Sequence, residues 1–334
     1  MNNHSLRIGG YILKTIKDSL YTITVPTPYA VGDVHLYVLK GEPITLIDAG
    51  VRSDEAWEAF KNQLAGYDLR PEDIRQVVLT HHHPDHVGLV EYLPNVKQCL
   101  AHRAALPWID RDDRFSSRYV SFFEEFYRKN GVPESLIDKL GEAPEKLKEF
   151  PVFTLTGTLK EGETIPGHSD WEVIETPGHA QSHISLFSKE DGVMIGGDHL
   201  LYHISPNPII EPPFHGDERT RPLIQYRDSL KKLFRYNVKE VMPGHGPRFN
   251  NVEEIIRKRL SQQEERADKV YSIIEEQPSH SFDISRKLFP RQYKKQYPLT
   301  MSETVGQLDF LEERGKIYRR SSKGVDFYFI SEKS

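Results

Sequence analysis

Seven consecutive residues constrain this chain more than any other feature: Thr80-His81-His82-His83-Pro84-Asp85-His86. Within this run His81, His83, Asp85 and His86 offer four potential metal ligands, directly after the apolar run Val77-Val78-Leu79. A strand ending in such a loop can aim two imidazoles to one side and a carboxylate–imidazole pair to the other. Nitrogen and oxygen donors converging in this way are what a borderline cation such as zinc selects. A histidine-rich surface loop would account for this block alone. It would not account for four further short blocks. These are Leu46-Ile47-Asp48-Ala49-Gly50 upstream, and Thr176-Pro177-Gly178-His179, Gly196-Gly197-Asp198 and Pro243-Gly244-His245-Gly246 downstream.

The surrounding pattern is α/β. Residues 18–25, 34–39 and 43–48 alternate or run apolar with β-branched side chains and predict three strands. Ser53 predicts a helix N-cap, with Asp54 and Glu55 in the first turn, where the helix dipole favours acids. That helix runs to about Leu64. Residues 76–80 form the strand that feeds the histidine run. The strand–helix–strand order returns around 171–176, 184–188, 192–197, 226–236 and 238–242. Between the two halves, Phe115, Tyr119, Phe122, Phe123 and Phe126 mark one face of a helix. This face predicts either packing on the body or a lid over the metal cleft. A Pro-rich stretch, 204–222, follows Asp198 and is expected near the cleft mouth. A long charged helix over 252–277 ends at Pro278. Two shorter helices, at about 282–289 and 300–314, and a hairpin around the turn Ser321–Gly324 complete the chain.

The five blocks, in this order, resemble the metallo-β-lactamase superfamily over residues 18–250. Beyond residue 250 the helix–helix–hairpin order resembles the branch that ends in a winged-helix tail, as in lactamase-like endoribonucleases and related bacterial hydrolases. The resemblance implies an αββα sandwich. Residues 1–250 would form the catalytic domain, with a helical insertion at 103–150, and residues 251–334 a linker helix plus a small winged-helix-like domain. It also implies a glyoxalase II-like site for two divalent metal ions. His81, His83 and His179 would hold one, Asp85, His86 and His245 the other, and Asp198 would bridge them, with a metal-bridging hydroxide as nucleophile. The donor set suits zinc first, with iron or manganese as alternatives. Relatives that are diiron flavoproteins carry a carboxylate where this chain has His83, which argues against redox chemistry. The β-lactamases proper lack the Gly-Gly-Asp block, which argues against antibiotic hydrolysis.

Among the ligands, Asp85 and Asp198 are also the expected catalytic carboxylates. Tyr202, His203 and His215 follow Asp198 closely, where related hydrolases place a proton donor; Tyr202 and His203 are the chosen candidates. Asp48 either orients a ligand imidazole or caps its own Gly50 turn. His82 points away from its neighbours in an extended loop. His183 predicts packing rather than ligation, and His199 is expected to point away from the metals.

The single cysteine, Cys99, excludes an internal disulfide and fits a reducing cytoplasm. No apolar run is long enough for a membrane span, and residues 1–10 lack the apolar core of a secretory signal. Net charge is −5. Residues 1–249 carry 28 basic and 35 acidic side chains, residues 278–334 carry 11 and 7, so the body is acidic and the tail mildly basic.

Three functions follow. The first is a dinuclear hydrolase of a small acyl compound: a thioester, ester or lactone. The second is a phosphodiesterase acting on single-stranded RNA, with Arg286, Lys287, Arg291, Lys294, Lys295, Arg319, Arg320 and Lys323 of the tail as its cationic surface. The third is a non-enzymatic metal-bound scaffold. The acidic body and the roofed pocket favour the first. A homodimer through the tail is the expected assembly, if any forms.

Overall fold

The computed structural model describes residues 7–8, 11–12, 19–110, 113–138, 140, 151–214, 216 and 218–332. A short antiparallel pair, β1 (Arg7–Ile8) and β2 (Tyr11–Ile12), precedes the body. The first sheet holds β3 (Leu20–Val25), β4 (Val34–Leu39), β5 (Thr45–Ile47), β6 (Gln76–Val78), β7 (Gln98–His102) and β8 (Gly157–Leu159), in that order. β3, β4 and β5 are antiparallel; β5 through β8 are parallel. A parallel pair needs a crossover, and α1 (Asp54–Ala65) makes the one from β5 to β6. Ser53 caps it: its Oγ accepts the Ala56 N–H at 3.1 Å, with Asp54 and Glu55 in the first turn. After β6 come α2 (Pro84–Val87), α3 (Leu106–Asp110), α4 (Asp113–Lys129) and α5 (Glu134–Ile137).

The second sheet holds β9 (Thr164–Ile165), β10 (His168–Glu175), β11 (Ile184–Ser188), β12 (Val193–Gly197) and β13 (Glu240–Pro243). Their order follows the chain, and only β12–β13 is parallel. α6 (Pro222–Lys232) crosses between those two strands.

Successive side chains on a strand face opposite ways, and here both faces are covered. Tyr37, Leu39, Ile47 and Val78 meet Trp171, Val173, Leu186 and Ile195 between the sheets. Their neighbours Leu36, Val38, Leu46 and Val77 pack outward on Ala56, Phe60 and Leu64 of α1. On the far side, Ile174, Phe187, Met194 and Val241 pack on Tyr226 and Leu230 of α6. This is the αββα sandwich. Strands buried on both faces read as continuous apolar runs, which is how Val77-Val78-Leu79 reads. Each fully buried Leu, Ile, Val or Phe contributes about 1.5–3 kcal/mol.

The chain then runs through α7 (Val252–Glu276), β14 (Ser279–His280), α8 (Ser281–Leu288), α9 (Tyr297–Glu313), β15 (Ile317–Ser322) and β16 (Val325–Ile330). These last three strands form a sheet ordered β14-β16-β15. α9 is enclosed on two sides. Tyr297, Met301 and Val305 pack with Phe123, Phe126 and Tyr127 of α4, while Leu308 and Leu311 pack with Leu223, Val270 and Ile274. Gly306 permits the contact with α6: a Cβ there would lie 2.9 Å from the Leu223 Cβ.

The aromatic face of α4 therefore divides. Its N-terminal part, Phe115 and Tyr119, faces Trp108. Its C-terminal part packs on the tail rather than on the sandwich. Residues 111–112, 139 and 141–150 of the insertion lie outside the described residues. No helix among the described residues is long and apolar enough to cross a membrane.

Candidate metal centre

The C-terminal ends of β5, β6, β10, β12 and β13 meet at one edge of the sandwich, and each delivers one of the five blocks. Asp48 follows β5, and the histidine run follows β6. His179 lies four residues beyond β10, and Asp198 and His245 lie just past β12 and β13. Pro84 at the first position of α2 starts a short helix that carries Asp85 and His86 back toward the cluster. Gly244 permits the closest approach: a Cβ there would lie 2.3 Å from Asp198 Oδ1.

Donor atoms of His81, His83 and His179 lie within 4.8 Å of one another, and so do those of Asp85, His86 and His245. Asp198 lies between them. Its Oδ1 is 3.5 Å from His86 Nε2, and its Oδ2 is 3.6 Å from both His179 Nε2 and His245 Nε2. Asp85 Oδ2 is 3.3 Å from His245 Nε2. The structure thus brings together all seven residues expected as ligands.

The orientation of each ring follows from its other nitrogen. His86 Nδ1 donates to Asp48 Oδ2 at 2.7 Å, His179 Nδ1 to the Asn207 carbonyl at 2.9 Å, and His245 Nδ1 to the Asp33 carbonyl at 2.8 Å. Thr80 Oγ1 gives its proton to Asp48 Oδ2 and therefore accepts from His81 Nδ1 at 3.0 Å. All four rings then present a bare Nε2 inward. His83 presents Nδ1, 3.0 Å from His81 Nε2. Asp48, held at φ +58°, also accepts the Thr80 N–H at 2.7 Å. Its carboxylate serves Thr80 and His86, not its own turn.

These residues fit a cation. His86 Nε2, His179 Nε2, His245 Nε2 and Asp198 Oδ1 are buried with no hydrogen-bond partner among the described residues. Leaving such atoms unpaired costs about 1–3 kcal/mol each, and cations bound among them would satisfy all four. The charge state agrees. Burial and neighbouring imidazoles hold His81 and His83 well below the ordinary histidine value. Burial alone would raise Asp198, but His86 and His245 outweigh it and the carboxyl stays ionised. Burial alone would lower His86, but Asp198, Asp48 and Asp85 outweigh it and the ring is pushed well up. Three buried carboxylates thus demand positive charge, from protons or from bound cations.

The remaining candidates lie elsewhere. Tyr202 packs on Phe249 at the outer face of the second sheet, and the exposed His203 ring lies edge-on to Tyr202. Neither reaches the cluster. The chain bends over 198–200, past the end of β12, and Tyr202 packs on the apolar cluster that holds Ile174, Phe187 and Met194. His215 lies outside the described residues. His183 accepts the Asp198 N–H on Nε2 at 3.0 Å, so it positions the carboxylate's backbone without ligating. The buried His199 packs on Tyr226. His82 is buried; it is bonded to Ser182 Oγ at 2.8 Å and stacked on Trp108.

One residue escaped the sequence reading. Glu211 is 3 % exposed, and its carboxylate accepts from the Gln181 N–H at 2.9 Å and from the Trp108 indole. Burial pushes its carboxyl up to about 8. Its only signal in the sequence is a lone acid between Ile210 and Pro212 in the stretch already expected at the cleft mouth.

Comparison with known proteins agrees with this geometry. Residues 30–245 match the sequence profile of the metallo-beta-lactamase superfamily. The chain is 41 % identical over 299 residues to a Bacillus subtilis protein named probable metallo-hydrolase YqjP, covering 88 % of this chain and 92 % of that one. It superposes with a TM-score of 0.78 and 26 % identity on the metallo-beta-lactamase family protein TTHA1429 of Thermus thermophilus, covering 93 % and 98 % of the two chains. An Aspergillus fumigatus protein named atrochrysone carboxyl ACP thioesterase is 24 % identical over 236 residues, 70 % of this chain and 57 % of that one. The chain belongs to the metallo-β-lactamase superfamily and is a metal-dependent hydrolase.

Proposed function

We propose that the enzyme hydrolyses a small acyl compound, a thioester, ester or lactone, with two divalent cations, zinc foremost. The observation that carries the dinuclear reading is the pair of three-residue donor groups on either side of Asp198. His81, His83 and His179 would hold one cation, Asp85, His86 and His245 the other, with Asp198 shared. When bound, such a pair supplies Lewis acidity toward a carbonyl oxygen and a water acidic enough to be a nucleophile near neutral pH.

The chain's own residues do the rest. Asp48, Thr80, Asn207 and Asp33 hold the protons of four imidazoles on Nδ1, so every Nε2 lone pair stays directed inward. Asp198 and Asp85 remain ionised. The insertion, the Pro-rich stretch and α9 wall the site beside His83 and His82.

An acyl substrate is favoured over a polynucleotide by the tail. The helix that would enter a groove in a winged-helix reader is α9, and it is buried along nearly its whole length. The thioesterase name of the fungal relative supports the same choice. We further propose that residues 251–334 act as part of the catalytic wall rather than as a separate binding module.

The test is turnover by zinc-loaded protein on thioesters and lactones beside single-stranded RNA, with Asp198→Ala as control. Acyl turnover that drops at least a thousandfold in the variant, with RNA left intact, is the expected outcome. RNA cleavage lost in the same variant, without acyl turnover, would reverse the assignment.

A further inference from the structure

A cavity of about 180 Å³ opens beside the cluster, with His82 and His83 at its inner end. Trp108 and Tyr119 of the insertion form one wall, Ile210 and Glu211 of the Pro-rich stretch another, and Leu299 of α9 the third. Three separate segments thus converge to build it. The polar atoms around it are largely engaged by protein: the Trp108 indole and the Gln181 N–H bind Glu211, and His82 Nδ1 binds Ser182. What faces the space is mainly aromatic and aliphatic.

Size and charge narrow what fits. An apolar cavity of about 150 Å³ holds one benzene ring, so this one takes a ring-sized group and little more. Among the described residues no Lys or Arg lines it. An arm carrying its own carboxylate or phosphate would be desolvated there without a cationic partner, which is costly. Trp108 and Tyr119, with ring planes 81° apart, offer an aromatic arm both a face and an edge.

We propose that this cavity binds the acyl arm of the substrate and selects an uncharged arm of about one ring, such as phenylacetyl. The inference rests on the acyl-hydrolase reading above. In the reaction the acyl carbon–sulfur bond breaks, the water oxygen ends on the acid, and the water protons are divided between acid and thiol. Leu299 lines the cavity and is 39 % exposed, so a larger side chain there would reduce the space.

The experiment compares N-acetylcysteamine thioesters with acetyl, phenylacetyl, succinyl and dodecanoyl arms on zinc-loaded wild type, Leu299→Trp and Tyr119→Ala. Binding of phenylacetamide to metal-free protein is followed by calorimetry. Wild type is expected to favour phenylacetyl over acetyl at least tenfold in kcat/KM, because a single methylene in an apolar pocket changes it by about tenfold or more. Succinyl and dodecanoyl should rank below phenylacetyl. Leu299→Trp should cut the phenylacetyl-to-acetyl ratio at least tenfold and abolish phenylacetamide binding, and Tyr119→Ala should move the optimum toward dodecanoyl. A ratio that stays the same in both variants, with acyl turnover present, would overturn the cavity assignment and leave the acyl reading standing. No turnover of any arm by metal-loaded protein would overturn both. RNA cleavage lost in Leu299→Trp would give the cavity to a nucleobase and refute the acyl arm.

Discussion

Asp48 accepts hydrogen bonds from the Thr80 N–H, the Thr80 hydroxyl and His86 Nδ1, and so fixes two of the inward-facing rings. Asp48→Asn keeps the shape but replaces one accepting oxygen with a donor. His86 would then favour the tautomer whose lone pair faces the amide, not the cluster. Metal affinity should fall about 10–100-fold, measured by competition with a chelating dye; unchanged affinity would show that His86 needs no orienting partner. Glu211 makes a prediction about pH. Its folded value of about 8 stands above its ordinary 4.5, so the folded protein keeps a proton that the unfolded chain releases. Stability of metal-free protein should therefore be greatest below about pH 4.5 as far as this group goes, and fall by up to about 1.4 kcal/mol per pH unit until pH 8. Glu211→Gln should flatten that slope in urea titrations at pH 5, 6.5 and 8, and an equal slope in both proteins would refute the buried neutral carboxyl. The sequence exposed the residues of the cluster because their donor types recur in short blocks. It hid Glu211, since one acid in a Pro-rich stretch carries no periodicity, and it did not show that Tyr202, past the bend at 198–200, packs on the outer face of the second sheet.

At the scale of elements, the strands and α1 were readable because their apolar period matches the faces they bury. The cap at Ser53 lies where the sequence put it, and the helix predicted over 252–277 is α7. The aromatic stripe of α4 was also visible, but its partner was not. A stripe shows that a face is buried and says nothing about which segment buries it; here that segment is α9, remote in the chain. Beside that contact, Arg219 grips Asp309 of α9 with two bonds of 2.8 and 2.6 Å, and the Asp309 carboxylate is almost fully buried. Asp309→Ala leaves the guanidinium without its partner and should cost about 3 kcal/mol, read as a lower urea midpoint. If α9 is a loosely attached module, the midpoint of the sandwich should not move.

Taken whole, the molecule joins an acidic body to a mildly basic tail, and part of the tail's positive charge is paired at the surface with carboxylates of residues 251–334 themselves. Arg314 pairs with Glu264, Arg319 with Glu312 and Asp326, Arg286 with Asp283, and Lys287 with Glu276. Several cations that a sequence count assigns to a polymer surface are therefore already engaged. The chain closes on itself: the tail walls a cavity whose far end is the cluster at the strand ends, and Asn207 links them. Its side chain donates to the Leu299 carbonyl of α9 at 2.9 Å, while its own carbonyl accepts from His179. The most direct test of a two-cation centre is a zinc titration of thioester hydrolysis, starting from metal-free protein. Negligible turnover without metal and a rise that saturates at two equivalents are expected. Full turnover at one equivalent would contradict the two-cation centre, and turnover independent of added metal would contradict the role assigned to the cluster.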